Sequence, residues 1–272
     1  MANVEQLSID FIAAARKEKK FLPETWNCLS ISGLSFIHSV AIQESSFGLS
    51  AVAMNIKKGE HIALIGASGA GKSTFLKIIR DLHRPLNMEL TVDGQKLAAG
   101  FAAISDSISL IPQEPEIFAA TIKENITMGI EQDLATIKRF ARMALFADVV
   151  RRLPNGYDSS VVEKGVNLSG GEKQRLALAR GLLASQDKDI ILLDEPTSSV
   201  DFHNELAIYE NLFDEFKDKT IISAVHKLYL LPMFDKIYFL KNGQMIASGS
   251  FEELKNNSAD FKNLWEEYIA KN

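Results

Sequence analysis

The hydrophobic positions of this chain fall mostly into short, bounded runs, and the length of each run says what it builds. His61-Ile62-Ala63-Leu64-Ile65, Ser109-Leu110-Ile111, Ile190-Ile191-Leu192-Leu193 and Thr220-Ile221-Ile222-Ser223-Ala224 are apolar almost throughout and too short for buried helices. Such runs predict core strands of a parallel sheet covered on both faces. Cys28 to Phe36 and Leu49 to Ile56, joined by a polar stretch, predict strands of an outer sheet. Asp93-Gly94 lies between Leu90-Thr91-Val92 and Gln95-Lys96-Leu97, and Asn242-Gly243 between Ile237–Leu240 and Gln244–Ala247. Both dipeptides tolerate the positive φ of a two-residue hairpin turn, so each predicts a hairpin. From about Thr121 to Leu153 the spacing becomes helical, with Ile122, Ile126, Leu134, Ile137, Phe140, Leu145 and Phe146 as packing positions, until Pro154-Asn155-Gly156 stops it. A further helix is expected from about Asp201 to Lys217, and two more close the chain.

At the other end Val4, Leu7, Phe11 and Ala14 or Ala15 recur at helical spacing, before the charged run Arg16-Lys17-Glu18-Lys19-Lys20 and the breaker Pro23. Two readings stand: a short terminal helix with a solvated end, or the tail of a helix from a preceding domain. The main domain is expected to begin near Trp26, which makes residues 1–25 a linker and 26–272 the domain.

Composition narrows the classes. The 272 residues are 46% hydrophobic and 24% charged, with a formal net charge of −5. That balance is ordinary for a globular protein and lacks the basic excess of a nucleic-acid binder, so no nucleic-acid partner is expected. A single cysteine, Cys28, excludes an internal disulfide and a cysteine-rich metal site, and fits a reducing compartment. No apolar run reaches the roughly 20 residues that span a bilayer, so a membrane role is expected to come through a partner.

Two segments carry chemistry that anions need. Gly66-Ala67-Ser68-Gly69-Ala70-Gly71-Lys72-Ser73-Thr74 satisfies G-x-x-x-x-G-K-[S/T] and lies between an expected strand and an expected helix. In such a loop the glycines let backbone N–H groups close on phosphates, Lys72 offers charge to the β- and γ-phosphates, and the Ser73 hydroxyl can ligate Mg²⁺. Leu168-Ser169-Gly170-Gly171-Glu172-Lys173-Gln174 is a second small-residue stretch at a helix start, where free N–H groups and the helix dipole favour anions. One nucleotide needs one cradle, and the surplus points to a second molecule's nucleotide. Ile190 to Leu193 delivers Asp194 and Glu195 at the end of a strand, Asp194 to hold Mg²⁺ and Glu195 to orient or deprotonate a water. Gln113 and His226 each follow an expected strand; Gln113 could reach the metal or the water, and His226 a γ-phosphate.

These segments, in this order, resemble the nucleotide-binding domain of ATP-binding-cassette (ABC) transporters from about Leu29 onward. Gly66 to Thr74 matches the Walker A loop, Gln113 the Q-loop, Leu168 to Gln174 the signature, and Ile190 to Glu195 Walker B with its catalytic glutamate. Ser198-Ser199-Val200-Asp201 looks like the D-loop and His226 like the switch histidine. Pro112 to Phe118 followed by Thr121 to Ile126, and Leu153 to Asp158 with Val162-Glu163-Lys164-Gly165, are similar to exporter sequences.

The resemblance implies an α/β fold: a P-loop NTPase (RecA-like) parallel-sheet core, an antiparallel β subdomain, and an inserted α-helical subdomain over about 114–177. It implies ATP and Mg²⁺ as ligands and a head-to-tail homodimer in which each ATP lies between one chain's Walker A and the other's Ser169-Gly170-Gly171, near Asp201. It also implies a transmembrane domain as partner, fused or separate, and a place at the cytoplasmic face of a membrane. An importer ATPase is the alternative; a non-transport ABC protein acting on DNA would carry long coiled coils between the two cradles, and no heptad run is present. Three positions depart from the family pattern. His38 stands where a tyrosine stacks on adenine, with Phe47 or Trp26 as substitutes; Glu172 replaces the commonest glutamine; Val200 replaces a leucine.

Overall fold

The computed structural model describes residues 20–38, 48–114, 116–161 and 168–271. The segment Val4 to Ala15, Phe47, Pro115 and Val162 to Gly165 lie outside the described residues.

The expected outer sheet is formed by β1 (Cys28–Ile37), β2 (Gly48–Lys57), β4 (Asn87–Val92) and β5 (Gln95–Lys96), in the order β2-β1-β4-β5 with every pair antiparallel. Asp93 and Gly94 make the β4–β5 turn, both at positive φ. The central sheet has the order β10-β9-β3-β8-β7-β6, built from β3 (His61–Ile65), β6 (Ile108–Ile111), β7 (Ile190–Asp194), β8 (Thr220–Ala224), β9 (Lys236–Lys241) and β10 (Gln244–Gly249). Its strands run parallel except β10, which returns through the Asn242-Gly243 turn.

Alternation along these strands splits the interior in two. Ile62, Leu64, Ile190, Leu192, Ile222 and Leu240 pack toward the outer sheet and helix α1 (Lys72–Ile79). Ala63, Ile65, Ile191, Leu193, Ile221 and Phe239 pack the other way, toward the remaining helices. A sheet buried on both faces needs apolar residues at consecutive positions, which is why its strands read as unbroken runs.

Between β6 and β7 the helical stretch divides into α2 (Ile122–Thr127), α3 (Leu134–Met143) and α4 (Ala147–Arg152), followed by α5 (Gly170–Ala184). Met128 and Leu145 at positive φ end the first two, and Asp133 caps α3 by accepting the Thr136 N–H. This corrects the expectation for Leu134: it is the first residue after the cap, faces solvent and remains 49% exposed. Helix α5 continues without a break through residue 177, past the expected end of the helical insertion. The chain continues with α6 (Phe202–Glu215), α7 (Phe251–Asn257) and α8 (Ala259–Lys271). Packing begins before Trp26: Leu22 is buried, and its N–H donates to the Ser107 hydroxyl at 2.8 Å. Among the described residues no helix is long and apolar enough to cross a membrane.

Candidate functional site

Strand order places the chemistry. Residues β3 Leu64, β8 Ala224 and β7 Asp194 lie side by side in register, and β6 ends beside β7 with Ile111 paired to Leu193. Four carboxyl-terminal strand ends therefore sit level, and they deliver Gly66, His226, Asp194-Glu195 and Gln113 to one edge. Ligands of open parallel sheets bind at that edge.

The phosphate loop leaves β3 at Gly66, where a Cβ would meet the Leu240 carbonyl oxygen at 2.1 Å, so only glycine fits. Gly71 (φ 108°) caps α1, whose first N–H groups, at Lys72, Ser73 and Thr74, lack intrahelical acceptors. Lys72 is buried, and its ammonium donates to the carbonyls of Gly66 (2.9 Å) and Ala67 (3.2 Å). Burial lowers its pKa, opposed by the charges of Glu195 and Asp194. The lysine is thus curled back over its own loop.

The Ser73 hydroxyl donates to Asp194 Oδ1 at 2.9 Å. Desolvation raises the Asp194 carboxyl above the usual carboxylate range, and neighbouring Glu195 adds to this against the Ser73 hydrogen bond. Such a carboxylate lacks sufficient countercharge. A hydroxyl, a carboxylate and the nearby Gln113 amide form a hard oxygen set, and these residues fit a Mg²⁺ ion.

Glu195 follows at φ 51°, a conformation rare for a side chain of its size and typical of sites where geometry is imposed. Both its carboxylate oxygens are engaged. Gln113 Nε2 donates to Oε2 at 2.7 Å, and His226 Nε2 meets Oε1 at 2.5 Å. A cavity of about 220 Å³ is lined by Ser68, Gly69, Gly71, Lys72, Ser73, Thr74, Gln113, Glu195 and His226. Ala67 and Ala70 complete the loop from behind, the Ala70 N–H donating to the Ala67 carbonyl at 3.0 Å.

His38 stands beside this cavity, its Nε2 3.1 Å from the Thr74 hydroxyl and its ring edge-on to Phe36. Trp26 is removed as a stacking substitute, because it is 1% exposed within the core under the outer sheet.

The signature segment does not line that cavity among the described residues. Ser169 caps α5 in a reciprocal capping box with Glu172, and Ser169 and Gly170 are exposed, with open space around Gly170. Gly171 is packed instead: a Cβ there would lie 2.8 Å from the Ser199 carbonyl oxygen. Glu172 also pairs with Arg152 at 2.8 Å, which gives the glutamate a partner that the commoner glutamine could not match in charge. Asp201 caps α6 through Asn204, whose hydrogen bonds hold its carboxyl below the usual range, and it too is exposed.

Two residues with no assigned part in the sequence reading hold the segment after Gln113. Arg180 on α5 donates to the carbonyls of Glu116 and Asn125 (both 2.7 Å) and to Asn125 Oδ1 (2.9 Å). Asn125, fully buried, accepts the Phe118 N–H at 2.9 Å. An arginine on a half-buried helix face was the only available signal.

The family model described as ABC transporter matches residues 49–198. The chain is 38% identical over 211 residues, 77% of its length, to the glutathione/L-cysteine transport system ATP-binding/permease protein CydD of Bacillus subtilis (strain 168), spanning 36% of that protein. It is 39% identical over 206 residues, 74% of its length, to multidrug resistance protein 1 of Entamoeba histolytica, spanning 16% of it. The solved structure of a bacterial Atm1-family ABC exporter with ATP bound superposes with a TM-score of 0.80 at 29% identity, covering 92% of this chain and 43% of that one. The chain therefore spans about a third or less of the length of these curated relatives.

Proposed function

This chain belongs to the ABC transporter family, as an ATPase domain of the exporter type, and from that premise we propose that it powers export through an ATP-driven, head-to-tail dimer. The observation that carries this reading is the separation of the two cradles. Lys72, Ser73, Glu195, Gln113 and His226 line one cavity, with Asp194 bound to Ser73 beside it, while Ser169 and Gly170 face outward from the same chain. A pocket missing one wall is completed by a second copy whose exposed signature closes over it.

In this mechanism the α1 N–H groups and Lys72 bind the β- and γ-phosphates. Ser73, Asp194 and Gln113 would hold Mg²⁺, which when bound would offset phosphate charge. Glu195 orients the attacking water and accepts its proton, and His226 donates to the γ-phosphate. Gln113 and His226 both contact Glu195, and Lys72 its own loop; in this reading phosphate oxygens take over as acceptors for Lys72 and His226, and the Gln113 side chain is released from Glu195. Because Glu195 and His226 are both present, both sites of a homodimer are competent. His38 serves as the surface for adenine. Asp201 and the partner's signature complete the closed site, and hydrolysis reopens the dimer.

The partners in this reading are a second copy of the chain and a transmembrane domain, at the cytoplasmic face of a membrane. Residues 1–25 link to that domain, 26–272 form the nucleotide-binding domain, and its helical part, about 114–177, faces the membrane partner. The relatives named above include a solved exporter, which favours export over import. The test is Lys72→Ala: ATP turnover is lost, and retained turnover would overturn the site.

A further inference from the structure

Glu205 is a carboxylate that the mechanism above leaves unused, although it is only 3% exposed and lies on the apolar face of α6 with Ile208, Tyr209 and Leu212. Burying a charge is costly unless every lone pair is met. Here three donors from two different loops meet it. The Thr197 hydroxyl donates to Oε1 at 2.5 Å, the Lys227 ammonium lies 3.0 Å from Oε2, and the Tyr229 hydroxyl donates to the same oxygen. Lys227 gives a further hydrogen bond to the Val200 carbonyl at 2.8 Å.

These donors are placed where they matter. Thr197 lies two residues after Glu195, and Val200 one residue before Asp201; Lys227 is adjacent to His226, and Tyr229 follows three residues on. The loop that carries the glutamate and the loop that carries the histidine thus end on one carboxylate. Burial and the Glu205 hydrogen bond both raise the Tyr229 hydroxyl, which keeps it a neutral donor. The imidazole of His226 itself is exposed on its other side and touches only Glu195 among the polar contacts described. Apart from that direct contact, no described polar contact of its side chain orients it toward Glu195.

The geometry points to Glu205 as a positioning residue that sets the His226–Glu195 distance, through Lys227 and Tyr229 on one side and Thr197 on the other. It is not among the residues that line the cavity of Glu195 and His226. Its effect on turnover rests on the ATPase reading, but its effect on geometry does not. Because Lys227 bridges Glu205 and the Val200 carbonyl, the same clamp ties the D-loop to the switch histidine within one chain. A shift of either loop on nucleotide binding is then felt by the other.

The test uses the 272-residue chain with Glu205→Gln, Lys227→Met, their combination, and Tyr229→Phe. Glu205→Gln keeps volume but removes the charge that Lys227 needs. The expected result is a fall in kcat of about tenfold, with KM for ATP changed less than about twofold. The combined variant falls no further than the worse single one, because the two residues act as a unit. Ring ¹⁵N resonances of His226 shift in Glu205→Gln, and shift less in Tyr229→Phe, which removes one hydrogen bond and is expected to fold. Unchanged kcat with unchanged His226 resonances would overturn the clamp. So would a loss in which kcat, KM and thermal stability decline together while His226 keeps its resonances in the folded fraction. If the unsubstituted chain shows no turnover, the ATPase reading fails, and the His226 resonances alone still decide for or against the clamp.

Discussion

The Gln174 amide oxygen accepts the backbone N–H of Ser199 at 2.8 Å, while its Nε2 donates to the Ser198 hydroxyl at 2.9 Å. One side chain of the signature helix thereby holds the turn that follows the candidate catalytic glutamate. The two cradles of the chain, which serve different nucleotides in the proposed dimer, are joined at this point. Gly171 belongs to the same contact, since its missing Cβ lets the helix approach the Ser199 carbonyl.

Gln174→Ala takes the acceptor from the Ser199 N–H at an exposed turn, a net loss of about 0.5–1.5 kcal/mol. Urea unfolding should register that loss. Turnover should fall further than stability alone predicts, because the signature and the D-loop no longer move together. A stability loss with full turnover in the folded fraction would show the tie to be structural only.

Asp194→Asn separates the proposed metal site from the fold. The Asp194 carboxyl is raised by burial, so the folded chain binds that proton more tightly than the unfolded chain does. Its contribution to stability is therefore greatest below the unfolded pKa and is lost as pH rises through the folded value. At neutral pH the charge is a cost, which asparagine removes while still accepting the Ser73 hydrogen bond. The apo variant should melt no lower than the unsubstituted chain, yet lose the extra stabilisation that Mg²⁺ with ATP confers. Calorimetry with and without the ligands measures both.

Glu172 gives the opposite sign. Burial alone would raise its carboxyl, but the hydrogen bonds from Ser169 and the pairing with Arg152 outweigh this and hold it below the usual carboxylate range. That stabilisation is present above the unfolded pKa and is lost as pH falls through the depressed folded value. Glu172→Gln keeps the capping geometry and loses the charge. Its unfolding free energy should depend less on pH across the acid range, which urea titrations at stepped pH values would reveal.

His38→Ala should weaken ATP binding about 5- to 150-fold and leave inorganic triphosphate binding intact, as expected of a base-stacking surface worth about 1–3 kcal/mol. Equal losses for both ligands would instead assign His38 to the support of Thr74, 3.1 Å away.

Most of this architecture was legible because the signals were local. An apolar run such as Ile190 to Leu193 needs no partner to be recognised as a core strand, and Asn242-Gly243 states its turn in two residues. The strand-end positions of Glu195, Gln113 and His226 followed from the same runs. What escaped was set by contacts distant in sequence. Leu134 is the exception, a local signal read wrongly: apolar at helical spacing, it directly follows the Asp133 cap and stays exposed. Trp26 resembled an available aromatic until the outer sheet covered it. The Gln174–Ser199 bond and the Arg180–Asn125 support join polar residues 25 and 55 positions apart, and hydrophobic periodicity carries no trace of such pairs.

The central claim is that each nucleotide site is built from two copies of this chain. It is tested by the molecular mass of Glu195→Gln in ATP and Mg²⁺, measured over a range of concentrations, alone and with Gly170→Asp added. Gly170 has open space for a side chain, so the added carboxylate should leave the fold intact and repel phosphate. The account predicts an ATP-dependent dimer for Glu195→Gln and a monomer for the double variant, with ATP still bound by the monomer. A dimer that forms equally well with Gly170→Asp, or a Glu195→Gln chain that stays monomeric at every concentration, would contradict it.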